Sequence, residues 1–310
     1  DVSTWKLEEV GASSCEALAL ALRNNASLTA LTVSSVVFPP SVRETLGRAL
    51  ASMTSLTHLG VKSRGAAVAD PFLDGFWDGM RCNSTLTSLS LNQHDNLMSA
   101  EGAAWMRDAL ASNCTLTALD AAAWDARSMH ALGDGLQHNR SITRLTMESC
   151  RLDEPAAESL RDGIAHHPAL SSLEFSFMSG VGLHIVFSGL GTCTVSELAV
   201  EGCEGDVDAK VLASALRDNT TITKLTVDQY CGIRQLELIT EGLIGNSRLQ
   251  YLTIGSYSKS VLSSEPLARA LLTMPLRVLD LSTLRGYDDA GMIALSEVLG
   301  DRKSTRLNSS

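Results

Sequence analysis

The chain lacks any block of lysine and arginine. It contains 25 basic and 35 acidic side chains, which leaves a formal net charge of −10 at pH 7. Surfaces that bind nucleic acid or an anionic membrane carry a basic patch or stripe. The composition therefore argues against nucleic acid and against a membrane as partners.

Sequence motifs of enzymes and metal sites are missing too. The chain contains no Gly-x-x-x-x-Gly-Lys-Ser/Thr, His-Glu-x-x-His, Gly-x-Ser-x-Gly or Gly-x-Gly-x-x-Gly, which mark phosphate, zinc, hydrolase and dinucleotide sites. A Ser-x-x-Lys match begins at Ser256, but such short matches arise by chance, and this one follows a strand rather than starting a helix. We predict that the protein is not an enzyme and has no catalytic, cofactor-binding or metal-binding residues.

The seven cysteines include no Cys-x-x-Cys pair and no cluster with histidine. Buried thiols in a reducing compartment are the favoured interpretation, and disulfides of a secreted protein are the alternative. Five Asn-x-Ser/Thr sequons within residues 1–300 would suit secretion, but each lies just before a strand, where asparagine can end a helix in the left-handed conformation. We interpret them as structural; they begin at Asn25, Asn83, Asn113, Asn139 and Asn219.

One stretch without charged residues, from Phe175 to Ser196, is long enough to span a bilayer. It contains His184 and four glycines, and it stays in phase with the repeat described next, so we assign it to the fold. No signal peptide is visible, although the chain opens at Asp1 rather than Met. We expect a cytoplasmic protein.

A segment of the form Leu-x-x-Leu-x-Leu recurs at intervals of 25 to 30 residues. Such a period indicates an array in which each repeat is one supersecondary unit. The first positions of the segment are Leu28, Leu56, Leu86, Leu116, Ile142, Leu170, Val195, Ile222, Leu249 and Leu276.

Each repeat predicts a strand followed by a helix. In the repeat that opens at Ile142, apolar residues alternate over the first six positions, as in a strand buried on one side. Ala157, Leu160 and Ile164 then recur at helical spacing, and Pro155 suits the first helical turn. Strand and helix in alternation give parallel strands with helices behind them.

The spacing of these elements predicts a curved α/β solenoid. Strands lie about 4.8 Å apart whereas helices need about 10 Å, so the array forms a horseshoe of about 10 or 11 repeats. We expect parallel β-strands on its concave face and α-helices on its convex face. A column of leucines at position four would fill the core: Leu31, Leu59, Leu89, Leu119, Leu145, Leu173, Leu198, Leu225, Leu252 and Leu279.

Several other residue sets are interpreted as scaffold. Position two is Thr or Ser in eight consecutive repeats, which suits hydroxyl bonding between parallel strands. Phe72, Phe76 and Met80 fall at helical spacing and should fill the core. We expect Trp124 to pack the turn after its strand, and His166 with His167 to cap a helix end rather than bind a metal.

These repeats, with Cys150 or Cys203 at position nine, resemble leucine-rich repeats of the ribonuclease-inhibitor class over about residues 5–300. Helices such as 212–219 fit the same class. The chain departs from the class where other residues replace Asn or Cys at position nine, and we expect a less regular turn there. These departures are Val36, His94, Trp124, Met178 and Leu284.

We predict a single leucine-rich repeat domain over residues 1–300. Residues 1–27 form a truncated first repeat that keeps its helix but lacks its strand. Residues 301–310 leave the repeat register and are interpreted as a non-native tail, with a degenerate final cap as the alternative. We expect a monomer.

The candidate binding surface is the concave face, where side chains at positions three, five and seven point away from the core. Its carboxylates should lie near one another, with Arg144 and Lys224 at the edge, and a solvated acidic face without a ligand is the alternative. Longer repeats near Trp77 and His94 are a second possible contact. The predicted protein-binding residues are Asp120, Arg144, Glu148, Glu174, Phe177, Glu197, Glu201, Lys224, Asp228 and Tyr251.

The predicted function is a non-catalytic scaffold that binds a partner protein with a basic surface. Similar arrays occur in NOD-like receptors and in effectors of plant-pathogenic bacteria, so the resemblance implies the target-selecting part of a larger receptor or effector. An effector would be delivered into a host cytoplasm. The alternative is a GTPase-activating protein of the Ran-activator type, which carries repeats of the same class.

Overall fold

The structure is a computed structural model that describes residues 3–6, 12–36, 40–63, 71–92, 98–203, 205–228, 231–255 and 264–282, together with 293, 296, 297 and 300. Its backbone contacts divide the chain into two compact units. Unit 1 comprises residues 1–172 and 178–183. Unit 2 comprises residues 173–177 and 184–310. The tail 301–310 lies outside the described residues.

Unit 1 is a parallel sheet whose strands alternate with helices. The strands stand side by side in chain order, from β1 to β6, as a solenoid requires. A small parallel pair, β7 and β9, lies within the same unit. Its elements are β1 (Ser3–Lys6), α1 (Ala12–Arg23), β2 (Ala30–Val36), α2 (Pro40–Ala51), β3 (His58–Ser63), α3 (Pro71–Met80), β4 (Ser88–Asn92), α4 (Ala100–Ser112), β5 (Ala118–Ala122), α5 (Ala126–His138), β6 (Arg144–Glu148), β7 (Arg151–Leu152), α6 (Glu154–Ala165) and β9 (Ser179–Gly180).

Unit 2 repeats the same arrangement. Its strands follow the order β8, β10, β11, β12, β13, and the pairs from β10 onward are parallel and in register. Its elements are β8 (Ser172–Ser176), α7 (Leu183–Ser188), a short 3-10 helix (Gly189–Gly191), β10 (Glu197–Glu201), α8 (Asp206–Asp218), β11 (Lys224–Asp228), α9 (Ile233–Gly242), β12 (Tyr251–Ile254), α10 (Ser264–Thr273) and β13 (Val278–Asp280).

All ten strands predicted from the leucine pattern are confirmed. Each begins two residues after the first position of its repeat, as β6 does at Arg144 after Ile142. The prediction that residues 1–27 lack a strand is wrong, because β1 pairs with β2 and places Ser3 opposite Leu31. Parallel pairing uses backbone N–H and C=O groups, so a strand can form without the leucine pattern.

The leucine column is buried. From Leu31 to Leu252, every leucine at position four is at most 3% exposed, and only the last member, Leu279, is half-buried. Helices close the other side of this core and begin at capped positions. The side chains of Ser99, Asp125 and Asp153 accept hydrogen bonds from backbone N–H groups at the starts of α4, α5 and α6.

The hydroxyl ladder predicted at position two is present. Thr57 Oγ1 donates to the carbonyl of Thr29 at 3.0 Å, and Thr87 Oγ1 donates to the carbonyl of Thr57 at 3.0 Å. Thr223 Oγ1 makes the same bond to Ser196 in unit 2, at 3.3 Å. These bonds connect neighbouring strands at their starts and serve the scaffold.

A second ladder consists of asparagines just before the strands. Asn139 Oδ1 accepts the backbone N–H groups of Ser141 and Ile142, both at 2.9 Å, while its Nδ2 donates to the carbonyl of Leu110, one repeat earlier, at 2.7 Å. The prediction of a left-handed backbone is wrong, since φ of Asn139 is −66°. Reaching the preceding repeat requires this extended conformation. The same pair of bonds recurs at Asn83, Asn113, Asn219 and Asn246.

The left-handed residues lie instead at position eight, just after the strands. Ala123, Ser149 and Phe177 have φ values of 57°, 53° and 52°, and Gly202 has 73°. The turn is therefore alike whether Trp, Cys or Met follows at position nine, and the less regular turn expected at Trp124 and Met178 is wrong. The side chain of Val36 and residues His94 and Leu284 lie outside the described residues.

Trp124 makes the hydrogen bond that Cys150 makes at position nine of the next repeat. Its Nε1 donates to the carbonyl of Leu91 at 3.0 Å, and Cys150 Sγ makes the equivalent contact with the carbonyl of Ala121 at 3.4 Å. Trp124 is fully buried and lies edge-on to Trp77, with ring centroids 6.4 Å apart. The predicted packing role of Trp124 is confirmed.

The predicted core aromatic residues are buried as well. Phe72, Phe76 and Met80 are at most 2% exposed, and Trp77 is fully buried. A partner therefore cannot contact Trp77, which removes it from the second possible contact surface. The other member of that surface, His94, lies outside the described residues.

The stretch from Phe175 to Ser196 follows the repeat rather than forming one long helix. It contains the end of β8, the six-residue α7 and the 3-10 helix. Across the described ranges, no helix combines the length and apolar character needed to cross a membrane.

Candidate functional site

The inner face of each sheet is the side that carries positions three, five and seven of the repeats. Residues at positions four and six, such as Leu145 and Met147 in β6, are fully buried on the opposite side. The alternation follows from the pleat of a strand, in which successive side chains point to opposite faces. All ten predicted binding residues belong to strands or to the turns directly after them.

In unit 1, the predicted residues lie on two adjacent strands. The register of β5 and β6 places Ala118 opposite Arg144, Asp120 opposite Thr146, and Ala122 opposite Glu148. Burial raises the pKa of Asp120, while the nearby charge of Arg144 and a hydrogen bond from Thr146 oppose that rise. Arg144 and Thr146 therefore partly compensate the charge of Asp120. Glu148 is exposed at the end of its strand.

In unit 2, one of the predicted carboxylates is neutralised. Lys224 Nζ lies 3.1 Å from Glu197 Oε2, and both side chains are about half exposed. The two residues are direct partners in the register of β10 and β11. Lys224 therefore lies beside a carboxylate of the predicted patch.

The end of the same strand pair carries like charges. Glu201 and Asp228 are opposite one another in the register of β10 and β11. In the part of the chain that the structure describes, no ion pair within 4 Å involves Glu201. Like charges directly across two strands are destabilising. The side chain of Asp228 lies outside the described residues.

Aromatic side chains flank these charges. Phe177 and Tyr251 are each 39% exposed. The backbone N–H of Phe177 donates to the carbonyl of Glu201 at 3.2 Å, which fixes the turn after β8 beside β10. Tyr251 lies opposite Lys224 in the register of β11 and β12. Glu174, on β8, is half-buried.

Sequence reasoning missed two features of the inner face. Val278 is 47% exposed and lies opposite Tyr251. An apolar residue at position three, which faces away from the core, could have identified it in the sequence. In unit 1, residues at positions three and five of three consecutive repeats, all small except His58, line a shallow hollow of about 460 Å³. The residues of the inner face that line this hollow are Ala30, Thr32, His58, Gly60, Ser88 and Ser90.

The inner face offers charged and apolar side chains for contact. Within the described ranges, no group of three or more His, Cys, Asp and Glu side chains is placed to hold a metal ion. Unit 1 contains Asp120, Arg144 and Glu148, and unit 2 contains Glu174, Phe177, Glu197, Glu201, Lys224, Asp228 and Tyr251. A single patch of all six carboxylates stays a prediction.

Two known proteins are each similar to about half of this chain. No protein-family model matches the chain. Over 163 residues, 50% of this chain, the sequence is 28% identical to ribonuclease inhibitor of Sus scrofa, and the match spans 36% of that protein's length. The solved structure of leiomodin-1 actin-binding site 2 is similar with a TM-score of 0.36 and 17% identity, over 54% of this chain and 87% of that one.

The leucine pattern recurs through the chain, and each unit alternates parallel strands with helices behind a buried leucine column. The sequence similarity to ribonuclease inhibitor points to the same architecture. The chain is therefore an α/β repeat protein whose leucine-rich repeats are similar to those of ribonuclease inhibitor.

Proposed function

We propose that the protein is a non-catalytic scaffold whose inner face binds a partner protein through a basic surface. The observation that carries the proposal is the strand pair β10 and β11, where Glu201 lies opposite Asp228. Glu197 on the same strand already has Lys224 as its ion-pair partner. The negative charge at the carboxyl ends of these strands is therefore the part that a cationic partner would relieve.

The exposed aromatic residues supply the second requirement of an interface. Hot spots are enriched in aromatic anchors that become fully desolvated on binding. Phe177 and Tyr251 stand at the two sides of the charged strands and are partly exposed. The carboxylates would attract the basic partner in a salt-sensitive way, and burial of these rings would stabilise the complex.

The similarity to ribonuclease inhibitor supports this class of function, because the name of that relative describes a protein that acts on another protein. The matched segment spans 36% of the relative, so the identity of the partner is not transferred. We propose a monomeric domain over residues 1–300 that works in the cytoplasm and selects the target of a larger receptor or effector.

Affinity capture with the chain as bait tests the proposal. Glu148→Lys with Glu201→Lys reverses two charges of the inner face. The matched control is Glu158→Lys with Glu241→Lys, which reverses two exposed charges on α6 and α9. A protein retained by the wild-type bait should be retained by the control and lost from the inner-face variant.

The association rate of the retained protein separates specific binding from mere retention. Charge reversal should slow association strongly at low salt and weakly at high salt, because screening has already weakened the attraction there. An unchanged rate and salt dependence in the inner-face variant would refute the proposal.

The alternative function is GTPase activation. It is tested by measuring the rate of GTP hydrolysis by a GTPase with and without the chain, and we expect no acceleration.

A further inference from the structure

The exposed side chain of Phe177 stands out among its structural equivalents. The other described left-handed residues at position eight are Ala123, Ser149 and Gly202, which are all small. A left-handed backbone is unfavourable for a bulky residue, and the ring of Phe177 remains 39% exposed. By contrast, Phe175 on the preceding strand is fully buried and packs edge-on against Phe187. The ring at 177 is therefore much more exposed than the ring at 175.

The ring lies next to the backbone of the residue that follows Glu201 in the neighbouring repeat. A Cβ atom added to Gly202 would lie 3.4 Å from Cδ1 of Phe177, so the ring rests against the backbone of Gly202. Glu201 directly precedes that glycine, and its carbonyl accepts the N–H of Phe177 at 3.2 Å. The ring of Phe177 therefore lies beside the backbone of the turn that directly follows Glu201.

We infer that Phe177 and Glu201 form a subsite for an arginine side chain of the partner, an inference that rests on the proposed function. A guanidinium group is planar and weakly hydrated, so it can stack on an aromatic face and also donate two hydrogen bonds to a carboxylate. Lysine carries the same charge but matches neither geometry. The opposition of Glu201 and Asp228 adds negative charge at this place.

Other positions on the inner face of unit 2 suit arginine less well. Glu197 is already bound by Lys224 at 3.1 Å. Tyr251 lies opposite the same lysine in the strand register, and a like charge beside the ring repels a guanidinium group. The subsite at Phe177 is therefore the one that combines an exposed ring with a carboxylate that lacks an ion pair among the described residues.

Two peptides of equal charge test the subsite: penta-arginine and penta-lysine, each labelled with a fluorophore. Fluorescence anisotropy at low salt measures their affinities for the full chain. We expect the wild type to bind penta-arginine about two- to fivefold more tightly than penta-lysine, the range of an exposed cation–π contact. Phe177→Asn should bring this ratio to about one, and Glu201→Gln should weaken the binding of both peptides.

Controls separate recognition from folding. Asparagine tolerates the left-handed conformation, so Phe177→Asn should keep or raise the thermal midpoint, whereas a purely structural phenylalanine would lower it. Val207→Asn changes another exposed apolar residue of unit 2, on α8 and 60% exposed, and should leave the peptide ratio unchanged.

The outcomes distinguish this inference from the proposed function. Equal affinities of the two peptides for the wild type, or an unchanged ratio in Phe177→Asn, would overturn the arginine subsite and leave a charge-driven inner face intact. A lower thermal midpoint for Phe177→Asn would also overturn it. If neither peptide binds, both the subsite and the proposed function fail.

Discussion

His167 is hydrogen-bonded to Asn139 and takes the place of an asparagine in the ladder that precedes the strands. Its Nδ1 accepts the backbone N–H groups of Ala169 and Leu170 at 3.2 and 3.0 Å, the bonds that asparagine makes elsewhere. The proton must then lie on Nε2, which donates to Asn139 Oδ1 at 3.3 Å. The cationic cap expected for His167 is wrong, although His166 contacts the carbonyl of Asp162 at the helix end.

This neutral histidine makes stability depend on pH. Burial, and to a lesser extent the charge of Arg140, lowers the pKa of His167 to about 4, from the ordinary 6.5. Between these values the unfolded chain takes up a proton that the folded chain excludes, so stability falls as pH falls from about 6.5 to about 4. We expect His167 alone to remove about 2–3 kcal/mol across that window.

Urea unfolding at several pH values measures the effect. His167→Asn restores the residue used by the other repeats, keeps both backbone bonds and removes the titration. The variant should therefore lose less stability than the wild type between about pH 6.5 and pH 4. Parallel losses in both proteins would mean that other groups control the acid sensitivity.

Truncation of Asn139 tests the ladder directly. Asn139→Ala leaves the N–H groups of Ser141 and Ile142 and the carbonyl of Leu110 without their buried partner. We expect a loss of about 2–4 kcal/mol in the free energy of unfolding. Asn24→Ala, at an exposed helix end, should change it by less than about 0.5 kcal/mol, and equal losses would contradict the ladder.

Leu145 tests the leucine column. It is fully buried in β6, so Leu145→Ala opens a cavity that should lower the free energy of unfolding by about 2–5 kcal/mol. Leu20→Ala, on α1 and 61% exposed, is the matched control and should lose much less. The prediction fails if the two variants have similar denaturation midpoints.

Gly133 tests the close approach of two helices. A Cβ atom there would lie 2.4 Å from the carbonyl carbon of Ser159 and 2.5 Å from the nitrogen of Leu160, so the backbones of α5 and α6 nearly touch. Gly133→Ala should destabilise by about 1–3 kcal/mol through overpacking, although alanine favours helix formation by about 1 kcal/mol. Gly191→Ala meets nothing within 4 Å and should be nearly neutral in the same unfolding assay.

Thiol labelling tests the state of the cysteines. Cys82 and Cys114 are exposed, whereas Cys150 is buried and its pKa is raised by that burial to about 12. Alkylation of the native chain should label Cys82 and Cys114 before Cys150, because reactivity requires an accessible thiolate. After unfolding without reductant, all seven cysteines of the sequence should react, and a smaller number would reveal disulfides.

The sequence determined the places of the strands and the core. A leucine at positions one, four and six can be buried only if the segment is a strand with one covered side, so the pattern located ten strands, each beginning two residues into its repeat. Backbone pairing does not depend on such a pattern, which is why the strand at Ser3–Lys6 could not be found in this way.

Only the tertiary structure decided which side chains are interchangeable and which charges are compensated. His167 and Trp124 make the hydrogen bonds of an asparagine and a cysteine because their ring nitrogens reach the same places. The sequence pattern does not show that these residue types are equivalent, because the equivalence depends on where their hydrogen-bonding atoms lie. The candidate site follows the same rule: its acidic character is evident in the sequence, but the strand register and side-chain reach pair Lys224 with Glu197 and leave Glu201 opposite Asp228.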